Sequence, residues 1–143
     1  MAYAERTDVP FDRSIQQLQQ LLRKRGARQI VSGEDDDRFA VQFCLSDRMI
    51  RFRLSLADPE SRRSADQIRR SRARALLLVV KAKLESVDTG IETIEQAFLA
   101  NVVMMDGLTV HERISDEVAL EYASGRPNAT HGLLPPPRES QPG

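Results

Sequence analysis

Apolar positions along this 143-residue chain change period several times, and each change predicts an element. Ile15, Leu18, Leu21 and Leu22 recur at helical spacing, while Gln16, Gln17, Gln19, Gln20, Arg23 and Lys24 occupy the other face. Pro10 and Asp12 suit a helix start and Gly26 a stop, so an N-terminal helix is expected between them. Ile30 and Val31 then read as a brief strand before the acidic turn of Asp35, Asp36 and Asp37. Next, Phe39, Val41, Phe43 and Leu45 alternate with Ala40, Gln42 and Cys44, the period of a half-buried strand. After the tight turn Ser46-Asp47, Ile50, Phe52, Leu54 and Leu56 alternate with Arg51, Arg53 and Ser55. The sheet thus has an apolar face for helices to cover and a face that shows arginine.

From about Ser64 to Gly90 the pattern predicts a long central helix with Ala73, Leu77, Val80, Leu84 and Val87 on one stripe. Leu78 and Val79 lie on the opposite side, so this helix is expected to be buried on more than one side at its centre. Its Arg-rich first half is expected to project past the core or lie along its edge. A short helix through Ile94, Phe98 and Leu99 follows, then a small hairpin about Asp106-Gly107, then a final helix from Ser115 to Ala123 ended by Gly125. The fold class is α+β: N-terminal helix, three-stranded antiparallel sheet, long central helix, short helix, small hairpin and final helix. Residues 1–125 are expected to form one domain, with an extended lead-in over Ala2–Pro10, and the Pro/Gly-rich residues 126–143 a disordered tail.

Composition narrows this picture. Tryptophan is absent and aromatics make up 5% of the chain, so the core must be largely aliphatic with a few phenylalanines. Cys44 is the single cysteine, which rules out a disulfide framework or cysteine-based zinc site within one chain. The first ten residues lack the apolar centre of a signal peptide, and the apolar run Ala75–Val80 is too short to cross a bilayer. The expected setting is cytoplasmic, with no membrane partner.

Charge changes the picture most. Between Arg62 and Lys83 lie eight basic residues against Asp66 alone, and between Leu84 and Gly125 nine acids face Arg113 alone. A net charge of zero therefore conceals two opposed blocks, a pattern of either an external partner or internal pairing. Arg62, Arg63, Arg69, Arg70, Arg72 and Arg74 are the candidate nucleic-acid-binding residues, since guanidinium groups neutralise phosphates, and Arg51 and Arg53 on the open sheet face extend the patch. The competing expectation is that Glu85, Glu92, Glu95, Glu112, Asp116, Glu117 and Glu121 fold back and pair with those arginines.

Nothing in the residues assembles a catalytic constellation. Cys44 falls on the less apolar face of its strand, His111 and His131 lie far from it in sequence, and the seven glycines form no phosphate-binding loop. The acidic turn Glu34–Asp37 has the oxygen chemistry of a cation site without calcium-loop spacing, and reads as a solvated hairpin tip. No cofactor, metal or catalytic residue is assigned, and the expectation leans away from an enzyme.

Two resemblances bear on function. The order helix, three strands, helix resembles that of double-stranded-RNA-binding domains in element order, without that family's loop signatures. More specifically, Tyr3-Ala4-Glu5-Arg6-Thr7 with Val9-Pro10 and Asp12-Arg13-Ser14, the run Arg74-Ala75-Leu76-Leu77-Leu78-Val79-Val80-Lys81-Ala82-Lys83-Leu84-Glu85, then Phe98-Leu99-Ala100 and Asp106-Gly107 are similar to a family of small uncharacterised proteins of bacteriophage and prophage genomes. That resemblance implies a bacterial host cytoplasm and carries no functional residues. The expected function is a non-enzymatic phage accessory protein that binds DNA or RNA through the Arg-rich helix. The alternative is a protein–protein interaction module, either an inhibitor of a host protein or a homo-oligomeric structural protein, with a host or phage protein or a second copy as partner.

Overall fold

The computed structural model describes residues 7–134 and 138, so residues 2–6 of the lead-in expected over Ala2–Pro10, and residues 135–137 and 139–143 of the tail expected over 126–143, fall outside the described residues. It divides into a unit ending at Arg113 and a second beginning at Ile114. The architecture is α+β, in the order α1 (Phe11–Lys24), β1 (Arg28–Glu34), β2 (Arg38–Leu45), β3 (Arg48–Ser55), α2 (Ala65–Asp88), α3 (Ile94–Phe98), a 3₁₀ turn (Leu99–Asn101) and α4 (Val110–Ser124). No described helix is long and apolar enough to cross a membrane.

The first unit is an antiparallel sheet, β1-β2-β3, with helices on one face. α1 buries Phe11, Ile15, Leu18 and Leu22, the residues its helical spacing aligns. It stops at Gly26, whose φ of 85° suits glycine, and the Ala27 and Gly26 amides donate back to the Leu22 and Arg23 carbonyls. That is a Schellman closure, which satisfies carbonyls a helix end otherwise leaves open. α2 ends the same way at Gly90, and begins at Ser64, whose hydroxyl accepts from the Gln67 amide at 3.1 Å.

β2 and β3 pair from Arg38↔Ser55 to Leu45↔Arg48 across Ser46-Asp47, both of positive φ, as a primed two-residue turn requires. Their inward residues Phe39, Val41, Phe43, Ile50 and Phe52 join Leu76, Leu77, Val80 and Leu84 of α2 in one core cluster. Phe98 of α3 is fully buried edge-on to both Phe43 and Phe52. β1 is longer than its two apolar residues suggest, and a register shift between Arg28 and Val31 leaves Val31 outward and 63% exposed. The opposite edge, on β3, is covered by the segment after α3, where Val103 N–H donates to Met49 O and Asn101 Nδ2 to Arg51 O. Covering an edge removes a template for unwanted strand pairing.

α1 and α2 lie side by side and run in the same direction. Arg74 Nη1 reaches Gln17 Oε1 at 2.9 Å near one end, while Arg25 near the other end donates to Leu84 O and pairs with Asp88. The Arg-rich first half of α2 does not project: Ile68, Ser71 and Ala73 are buried.

The second unit contains the rest of α4, and residues 126–134 beyond it form turns without helix or strand. α4 starts at Val110, five residues before the start its sequence pattern suggests. The small hairpin is accordingly short: one bridge, Val103↔Thr109, and a Met104 N–H to Leu108 O bond close the Asp106-Gly107 turn.

Ser14, on the buried face of α1, has a hydroxyl wholly removed from solvent with no hydrogen-bond partner. Such a group carries its desolvation cost uncompensated, and alanine is the better helix former. Ser14→Ala is expected to stabilise the fold by about 1 kcal/mol, read as a higher urea midpoint at unchanged slope; a lower midpoint contradicts the unpartnered hydroxyl.

Candidate interaction site

The arginines singled out by sequence are spread around α2 and mostly engaged. Arg69 lies over the Phe11 ring, with its guanidinium carbon 3.9 Å from the centroid, and pairs with Glu34 at 2.6 Å. Arg70 Nη2 donates to Gln67 Oε1, and its Nε sits 3.3 Å from Asp66 Oδ2 outside hydrogen-bonding geometry. Arg63 donates to the hydroxyls of Ser61 and Ser71, and Arg74 to Gln17. Exposed Arg62 and half-buried Arg72 make no ion pair or side-chain hydrogen bond among the described residues. On the open sheet face, Arg51 donates to Gln42 Oε1 and Gly107 O, and Arg53 to Glu112 Oε2 at 2.8 Å.

Internal pairing therefore occurs: Arg53 takes Glu112, one of the acids expected, while the α2 arginines have partners other than those expected. Glu112 and Glu95 take Arg53 and Arg48, whereas the α2 arginines use Glu34, Asp66 and neutral acceptors near them. The acidic turn is also committed. Asp35 accepts from the Asp37 and Arg38 amides and from the Arg38 guanidinium, which holds its carboxyl below the usual carboxylate range, the Arg38 side chain contributing most. Among the described residues, no three His, Cys, Asp or Glu side chains converge as a metal site. Cys44 is half-buried on the outer sheet face, its Sγ 3.1 Å from Gln29 Oε1.

A shallow depression of about 550 Å³ opens over Gly33 and Ala40, whose small side chains leave space between Arg38 and Arg53. Both cations there already face carboxylates, Asp35 and Glu112, so the depression offers an anion little unspent charge.

The feature left open is a face of α2. Burial of Leu76, Leu77, Val80 and Leu84 sets the core side, and Arg74 and Asp88 mark the α1 side. Lys83, donating to Ala97 O, marks the side of α3. Between these borders Ala75, Leu78, Val79 and Ala82 fall at i, i+3, i+4 and i+7, one continuous apolar stripe. Burial on more than one side was expected here; instead Leu78 is half-buried, and Val79 is 46% exposed. Arg72, Arg74, Lys81 and Lys83 flank the stripe, giving an apolar strip with a cationic rim.

The beginning of α4 is the best-built polar group in the first unit. Buried Thr109 caps the helix by accepting from the Glu112 amide at 3.2 Å, and Glu112 Oε1 reaches back to the Thr109 hydroxyl and amide. This is a capping box, Thr109-x-x-Glu112, a motif legible in the sequence that places the helix start before Ser115. Compared with protein-family models, curated proteins and solved structures, the chain matches none of them.

Bonds from Thr109, and then the nearby Arg53 cation, hold the Glu112 carboxyl below its ordinary value. A depressed folded-state value means stability present above the usual carboxylate range and lost as pH falls through the depressed value. The drop in urea midpoint between pH 6 and pH 3 is expected to be larger for the wild type than for Glu112→Gln; equal drops contradict the assignment.

Proposed function

We propose that this protein is an interaction module whose docking surface is the outward stripe of α2, Ala75, Leu78, Val79 and Ala82, with its rim of Arg72, Arg74, Lys81 and Lys83. The observation that carries this reading is Val79, a large β-branched side chain at the centre of the longest helix, left 46% exposed among apolar neighbours in helical register. Covering a valine side chain contributes roughly 1.5–3 kcal/mol, and small residues at Ala75 and Ala82 allow another backbone to approach closely. The cationic rim selects for acidic partners, so the chemistry that fits is an amphipathic helix with acids beside its apolar face.

Val79→Glu places a charge on the stripe at an exposed position, so the fold is expected to persist by circular dichroism. Immobilised wild-type chain is expected to retain protein from nuclease-treated bacterial lysate containing a differently tagged second copy. The retained protein, identified and purified, should bind Val79→Glu at least tenfold more weakly. If no protein is retained in a Val79-dependent way, the reading fails.

One observation favours nucleic acid as a second reading: α1 and α2 together carry nine basic and four acidic residues. Under that reading, affinity for a double-stranded oligonucleotide falls steeply with salt, and Arg72→Ala with Arg74→Ala lowers the slope of log affinity against log salt by about 1–2. No binding at low salt, or an unchanged slope, removes it.

A further inference from the structure

We infer that the helix occupying the α2 stripe is α4 of a second copy of this chain, an inference that rests on the interaction-module reading above. α4 is helical over fifteen residues and none of them is buried. Its apolar residues are nevertheless aligned: Val110, Ile114, Val118 and Tyr122 follow at intervals of four, and Ile114, Val118 and Tyr122 are 41%, 46% and 53% exposed. A helix of this length is marginal in water by itself, and helices in proteins owe most of their stability to a packed apolar face. The stripe on α4 therefore requires a partner surface as much as the stripe on α2 does.

The two stripes are complementary in charge and length. α4 carries Glu112, Asp116, Glu117 and Glu121 against Arg113, and Glu117 and Glu121 stand three residues after Ile114 and Val118, at the margin of its apolar line. At the equivalent margins the α2 stripe has Lys81, three residues after Leu78, and Glu85, three residues after Ala82, with Arg72, Arg74 and Lys83 alongside, so cations predominate there. From Ala75 to Ala82 is about 10 Å along the axis, and from Ile114 to Tyr122 about 12 Å, so each stripe covers the other end to end. Because one chain carries both surfaces, a pair in which each copy gives α4 and receives it on α2 leaves neither stripe open.

The test mixes two chains. In a Cys44→Ser background, Val79→Cys and Val118→Cys are prepared separately with tags of different mass, and combined under mild oxidant. The expected result is a disulfide-linked species containing one of each, in excess of the dimers either forms alone, and light scattering of the wild type at a dimer mass that Val118→Glu reduces to monomer. Reversal of Glu117→Lys is expected to weaken the dimer at least tenfold and Lys81→Glu in the same chain to restore it. No excess of the mixed species, or a chain carrying both cysteines that closes on itself as a monomer, overturns the inference. If that happens while Val79→Glu still abolishes binding of another identified protein, the interaction-module reading stands with a different partner; loss of both results removes both.

Discussion

Three contacts compete for the circumference of one helix, and that constraint organises the molecule. α2 packs Leu76, Leu77, Val80 and Leu84 into the phenylalanine-rich core, meets α1 on a second side through Arg74 and Asp88, and meets α3 on a third through Lys83. A three-stranded sheet is too narrow to support a further layer on that face. One flank of α2 is therefore left over, and the residues there decide what it does. An ordinary solvated flank carries charges; this one carries Ala75, Leu78, Val79 and Ala82. Continuous apolar helical faces of this kind mark sites of association rather than free surface.

The arginines make sense in the same frame. Arg69 rests on Phe11 and reaches Glu34, tying the first turn of α2 to α1 and to the end of β1. Arg25 ties the end of α1 to the end of α2, and Arg48 and Arg53 tie β3 to the chain beyond α2. These pairs are partly exposed, so each contributes little stability, with a typical value below about 1 kcal/mol. Their more important effect is specificity: a guanidinium fork fixes which element lies beside which. Arg72, Arg74 and Lys81, none of which has an ion pair among the described residues, border the apolar stripe of α2. Some cations are thus spent on internal positioning, while others lie beside an exposed apolar stripe.

Most of the fold was legible because its signals are local. Alternation from Phe39 to Leu56 marks two strands whatever surrounds them, and Gly26 and Gly90 stop helices through a backbone conformation that side chains disfavour. β1 was read too short because Arg28, Gln29, Ser32 and Gly33 carry no apolar period; that strand is defined by its hydrogen bonds to β2. The start of α4 lies earlier than expected although Thr109 and Glu112 announce it, since Leu108 to Val110 also read as the second strand of a hairpin about Asp106-Gly107. The candidate site was legible in composition and illegible in arrangement. Six arginines in thirteen residues look like one patch, but Arg62 and Arg63 precede α2 and a turn of 3.6 residues distributes the other four around it, and the partners of Arg69 and Arg74 come from chain far away in sequence.

The opposed charge blocks follow from the same geometry. Of the acids beyond Leu84, Glu95 and Glu112 pair with Arg48 and Arg53, whereas the described ion pairs of the α2 arginines use Glu34 and Asp66. Glu117 and Glu121 are carried on α4 next to its apolar line. A chain selected only for solubility gains nothing from placing acids at the border of an exposed apolar stripe and cations at the border of another. Complementary borders on two apolar strips raise the affinity of the strips for each other, and like charges on each strip disfavour pairing with itself. Under the proposed pairing that combination favours α4 against α2, which would account for a charge divided rather than mixed along the chain.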